Sequence, residues 1–589
     1  MKMTKFRTQL LFCSCLACGM FMSGCSDGDY DLSSVDAKLG VGGNLSLPSN
    51  NSVIVKLDDI LDLGNSDIIS TTVNGDYMLG KKPEDVSPVN VYIDPLEQKF
   101  DLSDGATLPI ELPAGLPSGV TIDVSTYPVE AKGAVSLIEY KFDAENLVKE
   151  LSHIDIGNGS NTKLSVKITL PSAVKSFKRL KIQMPQNLEF EYLGTLATLS
   201  DDNVLDLGEY DATTKGSIIN LAFNLKGIKI HRYSAVNYAE FVPATATAKP
   251  NVRLVCNIEV DLKAKMLEVP SSPTINVSGQ PSLDPIFVTG ATGVFDPEIN
   301  LNDLGSVTIN DIPDFLSDKE VVADIDNPQI WLTLKSNMPL GGIIDAKITS
   351  DTYPQGVIVN GIELDAMAPG ATKDAETKIV LCRKAPEDLK GYKPIVKDDL
   401  SRLIETLHNG MQLKFTATKA QAKQEAATVE MGVNYHLQPV YEFTAPLALG
   451  DKAKIIYSDT DDGWNKDIKD LNLNAGSKII LTSKAKNGTP ADLEVNITPL
   501  GTNGQELTNL VVKPIKNKVA SGTTDGEIQY EISDPTGKGL NQLNGVKYRL
   551  QVSSPSDASL KGKTLNKNQE IRLENITLQI NGNIVVDAN

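Results

Sequence analysis

Aromatic residues make up only 5% of this 589-residue chain: 2 Trp, 16 Tyr and 14 Phe. Sugar-binding surfaces are built on exposed aromatic rings, so this scarcity counts against an extended glycan platform. The chain has four histidines, His153, His231, His408 and His436, with no two close in sequence and no His-Glu-x-x-His among them. A local imidazole metal site is therefore absent. Positive charge is in deficit, with 56 Lys+Arg against 75 Asp+Glu and a net charge of −19. Nucleic acid is excluded as a partner, because a polyanion is held by a basic surface and its released counterions. The same deficit removes polybasic attraction to anionic lipid. Long apolar runs are missing too. The one at the N-terminus, Leu10 to Met22, is 13 residues long, and a spanning helix needs about 20. Neither a Gly-x-Ser-x-Gly elbow nor a helix-opening Gly-x-Gly-x-x-Gly occurs. Gly562-Lys563-Thr564 ends like a phosphate loop, but Asp557 stands where such a loop needs glycine. No catalytic residue is assigned, and the chain is expected not to be an enzyme.

What is present begins at the N-terminus. Lys2, Lys5 and Arg7 precede the apolar run, which ends at Met22-Ser23-Gly24-Cys25. This is the build of a signal peptide. The Ser23-Gly24-Cys25 junction resembles the lipobox of bacterial lipoproteins. That resemblance implies cleavage before Cys25 and lipidation of its thiol, so that the chain meets the membrane through Cys25. Each buried methylene contributes about 0.8 kcal/mol, and stable anchoring takes more than one chain, which the multiply acylated cysteine of this family supplies. Ser26-Asp27-Gly28-Asp29-Tyr30-Asp31 resembles the acidic export signal of Bacteroidota-type surface lipoproteins. The expected location is the outer membrane, lipid-anchored and facing the cell exterior. Loss of Lys2, Lys5 and Arg7 with the leader takes the charge from −19 to −22. Cys13, Cys15 and Cys18 leave with it, so Cys256 and Cys382 are the thiols of the body. Two thiols make no disulfide framework, and a Cys256–Cys382 bridge is left open.

The rest reads as strand after strand. Val546, Tyr548, Leu550 and Val552 alternate with Lys547, Arg549 and Gln551, and Leu493, Val495 and Ile497 alternate with Glu494 and Asn496. Period-2 alternation with turn residues between runs predicts antiparallel sheets with one face on a core. The parity flip at Glu574-Asn575 predicts a β-bulge. Helical spacing predicts two short helices, one over Ala144, Leu147, Val148 and Leu151, the other over Leu400, Leu403, Ile404 and Leu407. Leu332-Thr333-Leu334-Lys335 leads through Asn337 and Pro339 to Ile348, and Leu481-Thr482-Ser483-Lys484 leads through Asn487 and Pro490 to Ile497. The equal spacing suggests two related modules. Asp326-Asn327-Pro328 and Asn337-Met338-Pro339 faintly resemble the hairpins of immunoglobulin-like, late-embryogenesis-abundant-type sandwiches. The expected fold is mostly β, several antiparallel β-sandwich (immunoglobulin-like) domains in tandem with a few short helices. The expected organisation is a signal peptide (1–24), a flexible acidic tether (25–47), a β-rich region of one or two sandwiches (48–316), a sandwich with one helix (317–464) and a C-terminal sandwich (465–589). Three proline-dense stretches, Pro109, Pro113 and Pro117, then Pro243 and Pro250, then Pro270, Pro273, Pro281 and Pro285, read as boundaries or as edge-strand connections within one larger domain.

Two site candidates remain. Asp459, Asp461, Asp462 and Asp467 cluster around Gly463 and suit calcium, a hard cation wanting six to eight oxygens. An EF-hand frame fails, since Lys469 falls where a bidentate Glu is required, and a solvated acidic turn between domains is the simpler reading. No other cofactor is implied. Trp464, in the same turn, is the candidate exposed ligand-binding ring, whereas Trp331 starts an alternating strand and is expected in a core. The leading expectation is a non-enzymatic adhesion, binding or structural surface protein with a glycan or protein ligand. Behind it stand a glycan-binding accessory of a polysaccharide uptake system and a carboxylate-dependent hydrolase.

Overall fold

The computed structural model describes residues 38–48, 53–57, 68–94, 96–99, 102, 105–157, 162–297, 304–310, 312, 316, 319–465, 473, 475–537 and 539–587. Cys25, its leader and Asp467 lie outside them. Strands dominate, in six sheets that are antiparallel apart from one parallel pair, Ala375–Cys382 with Lys393–Val396. No closed barrel forms among the described residues. No helix among them is long and apolar enough to cross a membrane.

The sheets face one another in three sandwiches. In the first, a nine-stranded and a six-stranded sheet enclose Leu137, Phe177, Phe223 and Leu262. Its longest strand, Asn251–Glu268, shows how alternation becomes a core. Val252, Leu254, Cys256, Ile258, Val260 and Leu262 are each at most 2% exposed, while Arg253, Glu259 and Lys263 point outward. Each such side chain contributes about 1.5–3 kcal/mol when buried. The second sandwich packs a seven-stranded on a four-stranded sheet around Leu332, Val357, Met411 and Tyr441. Trp331 is buried, 5% exposed, but on the strand face opposite the core residues Ile330, Leu332 and Leu334: Tyr392 packs edge-on against its ring at 5.0 Å, Lys390 lies over it, and Nε1 donates to Thr444 Oγ1 at 2.9 Å. The third packs a six-stranded on a four-stranded sheet, with Ile532, Leu543 and Ile580 at one end and Ala485, Tyr530 and Ile571 at the other.

The chain does not fill these sandwiches in sequence order. Strand Lys38–Pro48 pairs along the last strand, Glu570–Asp587, with Lys38 opposite Asp587 and Pro48 opposite Thr577. Val53–Lys56 continues along the same strand toward Glu570. Tyr77–Asp85 then joins Asn434–Pro446 in the second sandwich, and Ala106–Glu111 reaches the first. The chain thus runs third, second, first, and then back. The tether expected to 47 is a strand from Lys38, and the region expected from 48 to 316 begins in the third sandwich. Lys454–Asp462, expected in the second, pairs with Leu543–Ser553 in the third. The reason is physical: the first segment's partner strand is more than five hundred residues away and leaves no local mark, while Gly40, Gly42 and Gly43 weaken the strand pattern of that segment.

Two local readings also change. Ala144–Leu151 is not a helix: Val148–Ile156 is a strand pairing with Ile286–Phe295 and Ile218–Lys229. Its outward Lys149 and inward Ile154 and Ile156 satisfy a period of two once neighbours exist on both sides. Leu400–Leu403 is a 3₁₀ turn, with Leu400, Leu403, Ile404 and Leu407 buried. The bulge at Glu574-Asn575 is where the sequence places it. Thr482 opposes Thr577 and Lys484 opposes Glu574, and Asn575 takes φ 53°. The two similar segments form matching units, though neither is a hairpin. Gln329–Ser336 and Gly342–Ser350 lie in different sheets of the second sandwich, and Lys478–Asn487 and Asp492–Gly501 in different sheets of the third. Each unit is a corner, and each turns on an asparagine. Asn337 donates to Asn434 O (2.9 Å) and accepts from His436 N (2.7 Å), and Asn487 does the same with its own neighbours.

Candidate functional site

The acidic cluster of the sequence is the end of a strand. Asp459, Asp461 and Asp462 oppose Tyr548, Val546 and Gly545, and the Asp462 side chain is exposed. The side chains of Asp459 and Asp461 are outside the described set, as is Asp467. Among the described residues no group of three or more His, Cys, Asp or Glu side chains converges as metal ligands would. Trp464 is half-buried against the core of Leu473, Leu540 and Leu543, and its backbone N–H donates to Asn544 O at 2.7 Å. It closes the end of the third sandwich, so its ring is not the free platform expected of it.

The thiols and imidazoles serve separate places. Cys256 is in the first sandwich and Cys382 in the second, both buried and both free, so they do not pair. Burial pushes the Cys256 thiol up to about 12, partly offset by the hydrogen bond from Asn187. It is inert at neutral pH. His153 stands between Glu189 (2.9 Å) and Asp155 (3.2 Å), His408 by Asp351 (3.2 Å), His436 by Asp374 (2.8 Å), and His231 stacks edge-on against Tyr233. No two share a site.

A cleft of about 680 Å³ opens on the third sandwich, lined by Lys484, Ile515, Lys516, Asn517, Lys518, Asp525 and Glu527. Its carboxylates face lysines, Asp525 with Lys484 at 3.8 Å and Glu527 with Lys516 at 2.5 Å. Carboxylate hydrolysis needs one acid kept protonated by apolar surroundings beside one ionised partner. This cleft offers two carboxylates of the same ion-paired kind, without that asymmetry.

Exposed rings are likewise dispersed. Tyr92 belongs to the second sandwich, opposite Asn434. Tyr127 turns back on Val124, whose N–H donates to Lys265 O, and Tyr233 precedes Tyr238, which opposes Val255 of the same strand; those two strand positions are roughly 30 Å apart at about 3.3 Å per residue. They make no row on one face.

The most distinctive surface is the end of the first sandwich, where five loops meet: 112–120, 124–129, 170–173, 212–217 and 269–273. Backbone hydrogen bonds lace them together. Leu112 N donates to Pro273 O (2.8 Å), Val269 N to Val120 O (3.0 Å), Glu268 N to Ala173 O (2.8 Å) and Leu170 N to Ser217 O (2.8 Å). Six prolines, at 113, 117, 128, 171, 270 and 273, fix their φ angles. Lys215 is the one charged residue in the five loops, in a chain that is 22% charged, so the depletion is well beyond composition. Val120 (49%), Tyr127 (43%) and Ile218 (47%), which follows the fourth loop, stand exposed there. At the rim Glu268 pairs with Lys175 (2.7 Å) and Glu209 with Lys265 (3.1 Å), whereas Glu111, Asp123 and Asp211, which border the loops, accept hydrogen bonds from Thr274, Ser125 and Thr213. A neutral apolar centre inside a polar rim is the anatomy of a contact surface. Of the prolines read as boundaries, Pro113, Pro117, Pro270 and Pro273 belong to this tip, whereas Pro109 and Pro281 lie within strands and Pro243 and Pro250 lie between strands at the Asn251 end. The absence of charge was the available signal, but the loops are scattered over 160 residues of sequence, and only the fold gathers them.

The tip is at the end away from the second sandwich. The long strand runs from Asn251, opposite Asp143, to Glu268, opposite Thr121 at the tip. Near its start Val148 opposes Phe295, which packs with Val429 and Tyr435 of the neighbouring region.

No family model matches the chain, and no curated protein matches it. Among solved structures, it is similar to a presumptively secreted protein of Parabacteroides distasonis. The TM-score is 0.33 at 17% identity, over 49% of this chain and 89% of that one. It is also similar to infectious bursal disease virus, Gx strain (TM-score 0.13, 11% identity, 87% and 89% covered). A subviral particle of that virus's VP2 gives a TM-score of 0.12 at 9% identity, with 90% and 86% covered. At these scores none of the likenesses carries an argument about activity.

Proposed function

We propose that this chain is a lipid-anchored, non-enzymatic binding protein of the Bacteroidota-type cell surface, held through Cys25 by its third sandwich and binding with the tip of its first. The pairing of Lys38–Pro48 along Glu570–Asp587 carries this reading. Lys38 lies at the Asp587 end of that strand, away from Gln569 and Asn566, which meet Leu57 and Asp76 on the way to the second sandwich. At about 3.3 Å per residue the strand between those ends spans roughly 55 Å. The thirteen residues from Cys25 to Lys38 reach at most about 45 Å, so the lipid belongs near the third sandwich. The first sandwich then stands farthest from the membrane, and its neutral tip is what a partner meets. Glycan capture ranks below this, because Tyr92, Tyr127 and Tyr233 are separated and Trp464 is packed.

Cys25→Ala tests the anchor. The variant is expected to leave the membrane fraction for the soluble one and to lose its surface labelling on intact cells. Unchanged fractionation would contradict the proposal.

A further inference from the structure

Resting on the reading of Cys25 as the anchor and the far end of the chain as the binding end, we propose that the two N-terminal strands are a mechanical clamp. A pull between anchor and partner runs along their ladder with the last strand, and the whole ladder resists it at once. Lys38–Pro48 and Val53–Lys56 lie end to end against Glu570–Asp587, with Lys38 opposite Asp587 and Lys56 opposite Glu570. Lys38 is at the membrane end. The chain leaves the other end for the second sandwich, where Leu57 N donates to Gln569 O (3.1 Å) and Asp76 bridges to Asn566. A pull on Lys38 toward the membrane, opposed from the first sandwich, is therefore parallel to the ladder. Antiparallel hydrogen bonds stand perpendicular to their strands. A load along the strands shears all of them together, whereas a load that parts the strand ends opens them one pair after another.

The order of the sandwiches puts this ladder first in the path. Every pull that enters at Cys25 reaches Lys38 before any other strand, and the chain continues from Lys56 to the second sandwich and then to the first. If the ladder lets go, the chain from Lys38 to Ile69 straightens and the third sandwich drops out of the path.

The ladder is also longer than the sheet it belongs to. Lys478–Asn487 pairs with the last strand only between Ile571 and Asn581, whereas Gly582–Asp587 pairs with Lys38–Gly43. Gly40, Gly42 and Gly43 bring no side chains to this stretch, and two paired strands alone are marginally stable. The extension thus adds little to equilibrium stability. Under a parallel load it adds six residue pairs that must fail together with the rest, and resistance to force is set by the rate of unfolding and not by equilibrium stability.

The test stretches single molecules of residues 26–589 between a handle at the N-terminus and one on an introduced thiol, since Cys256 and Cys382 are buried. Val73→Cys loads the ladder lengthwise. Val73 is fully exposed in a hairpin bonded just past the Glu570 end, where Asn566 Nδ2 donates to Asn74 O (2.9 Å) and Lys567 N to Gly75 O (2.9 Å). Asp587→Cys, opposite Lys38, parts the strand ends instead. Rupture is expected at severalfold higher force from position 73 than from position 587. The step from position 73 is at most about 120 Å, the reach of the chain from Lys38 to Val73. Deleting residues 582–589 is expected to lower the force from position 73 and to leave thermal unfolding near that of the full chain, because the pairing with Lys478–Asn487 is untouched. Equal forces in the two directions, or a deletion that ruptures at the full-chain force, would overturn the proposal. Either result would leave the Cys25 anchor standing, since fractionation of Cys25→Ala tests that separately.

Discussion

Asp534→Ala is expected to destabilise the third sandwich by about 3–4 kcal/mol, since it strands buried backbone donors that each cost about 1–3 kcal/mol unpaired. Asp534 is 1% exposed. Its Oδ1 accepts from Thr536 N (2.8 Å) and Thr536 Oγ1 (2.7 Å), and its Oδ2 accepts from Gly539 N and from Leu540 N (3.3 Å). This one carboxylate shapes the loop that delivers Leu540 and Leu543 to the core. Burial alone would raise its pKa, but the hydrogen bonds from Thr536, Gly539 and Leu540 outweigh it and hold the group at about 2, below the usual 3.8. The linkage follows with a definite sign. A depressed folded-state pKa adds stability above the unfolded value, and this is lost as pH falls from about 4 to about 2. At 1.36 kcal/mol per unit the pH-dependent part is about 2 kcal/mol. Denaturant titrations of wild type and Asp534→Asn should therefore differ most at neutral pH and converge toward pH 2. A gap that ignores pH would show that the carboxylate is not ionised in this loop.

Asn487→Asp is expected to cost about 3–5 kcal/mol, the range for an uncompensated buried charge, although the two side chains have nearly the same shape. Asn487 is fully buried. Its amide nitrogen donates to Ala491 O (2.7 Å), Ala520 O (3.2 Å) and Val519 O (3.3 Å), while its oxygen accepts from Thr489 N (3.0 Å) and Oγ1 (2.7 Å). A carboxylate would turn a lone pair toward three carbonyl oxygens. Protonation would relieve this, so the variant should regain stability on mild acidification. Asn487→Ala lacks that recovery and serves as its control. Equal stability of Asn487→Asp and wild type at neutral pH would contradict the corner's role.

The same corner marks what could be read in advance. Leu481-Thr482-Ser483-Lys484 with Asn487 and Pro490, matched to Leu332 through Asn337 and Pro339, is a local pattern, and the structure places both as matching corners. The bulge at Asn575 was legible for the same reason, because a parity flip is local. What could not be read is long-range. Lys38–Pro48 has its partner at the other end of the chain. Val148–Ile156 shows a helical stripe that pairing on both edges overrides. Trp464 stands in a polar run, and only the fold closes Leu473 and Leu543 over it. The tip is assembled from five segments, each an ordinary neutral loop by itself.

The central claim is the orientation, with the third sandwich at the membrane and the tip of the first away from it. It can be read by energy transfer in liposomes carrying the lipidated protein and a membrane-bound acceptor. Cys256 and Cys382 are buried and the proposed lipid occupies the Cys25 thiol, so a dye attaches selectively to Asp587→Cys or to Ser272→Cys. The account predicts strong transfer from position 587 and little from position 272. Strong transfer from position 272 with little from 587 would contradict it.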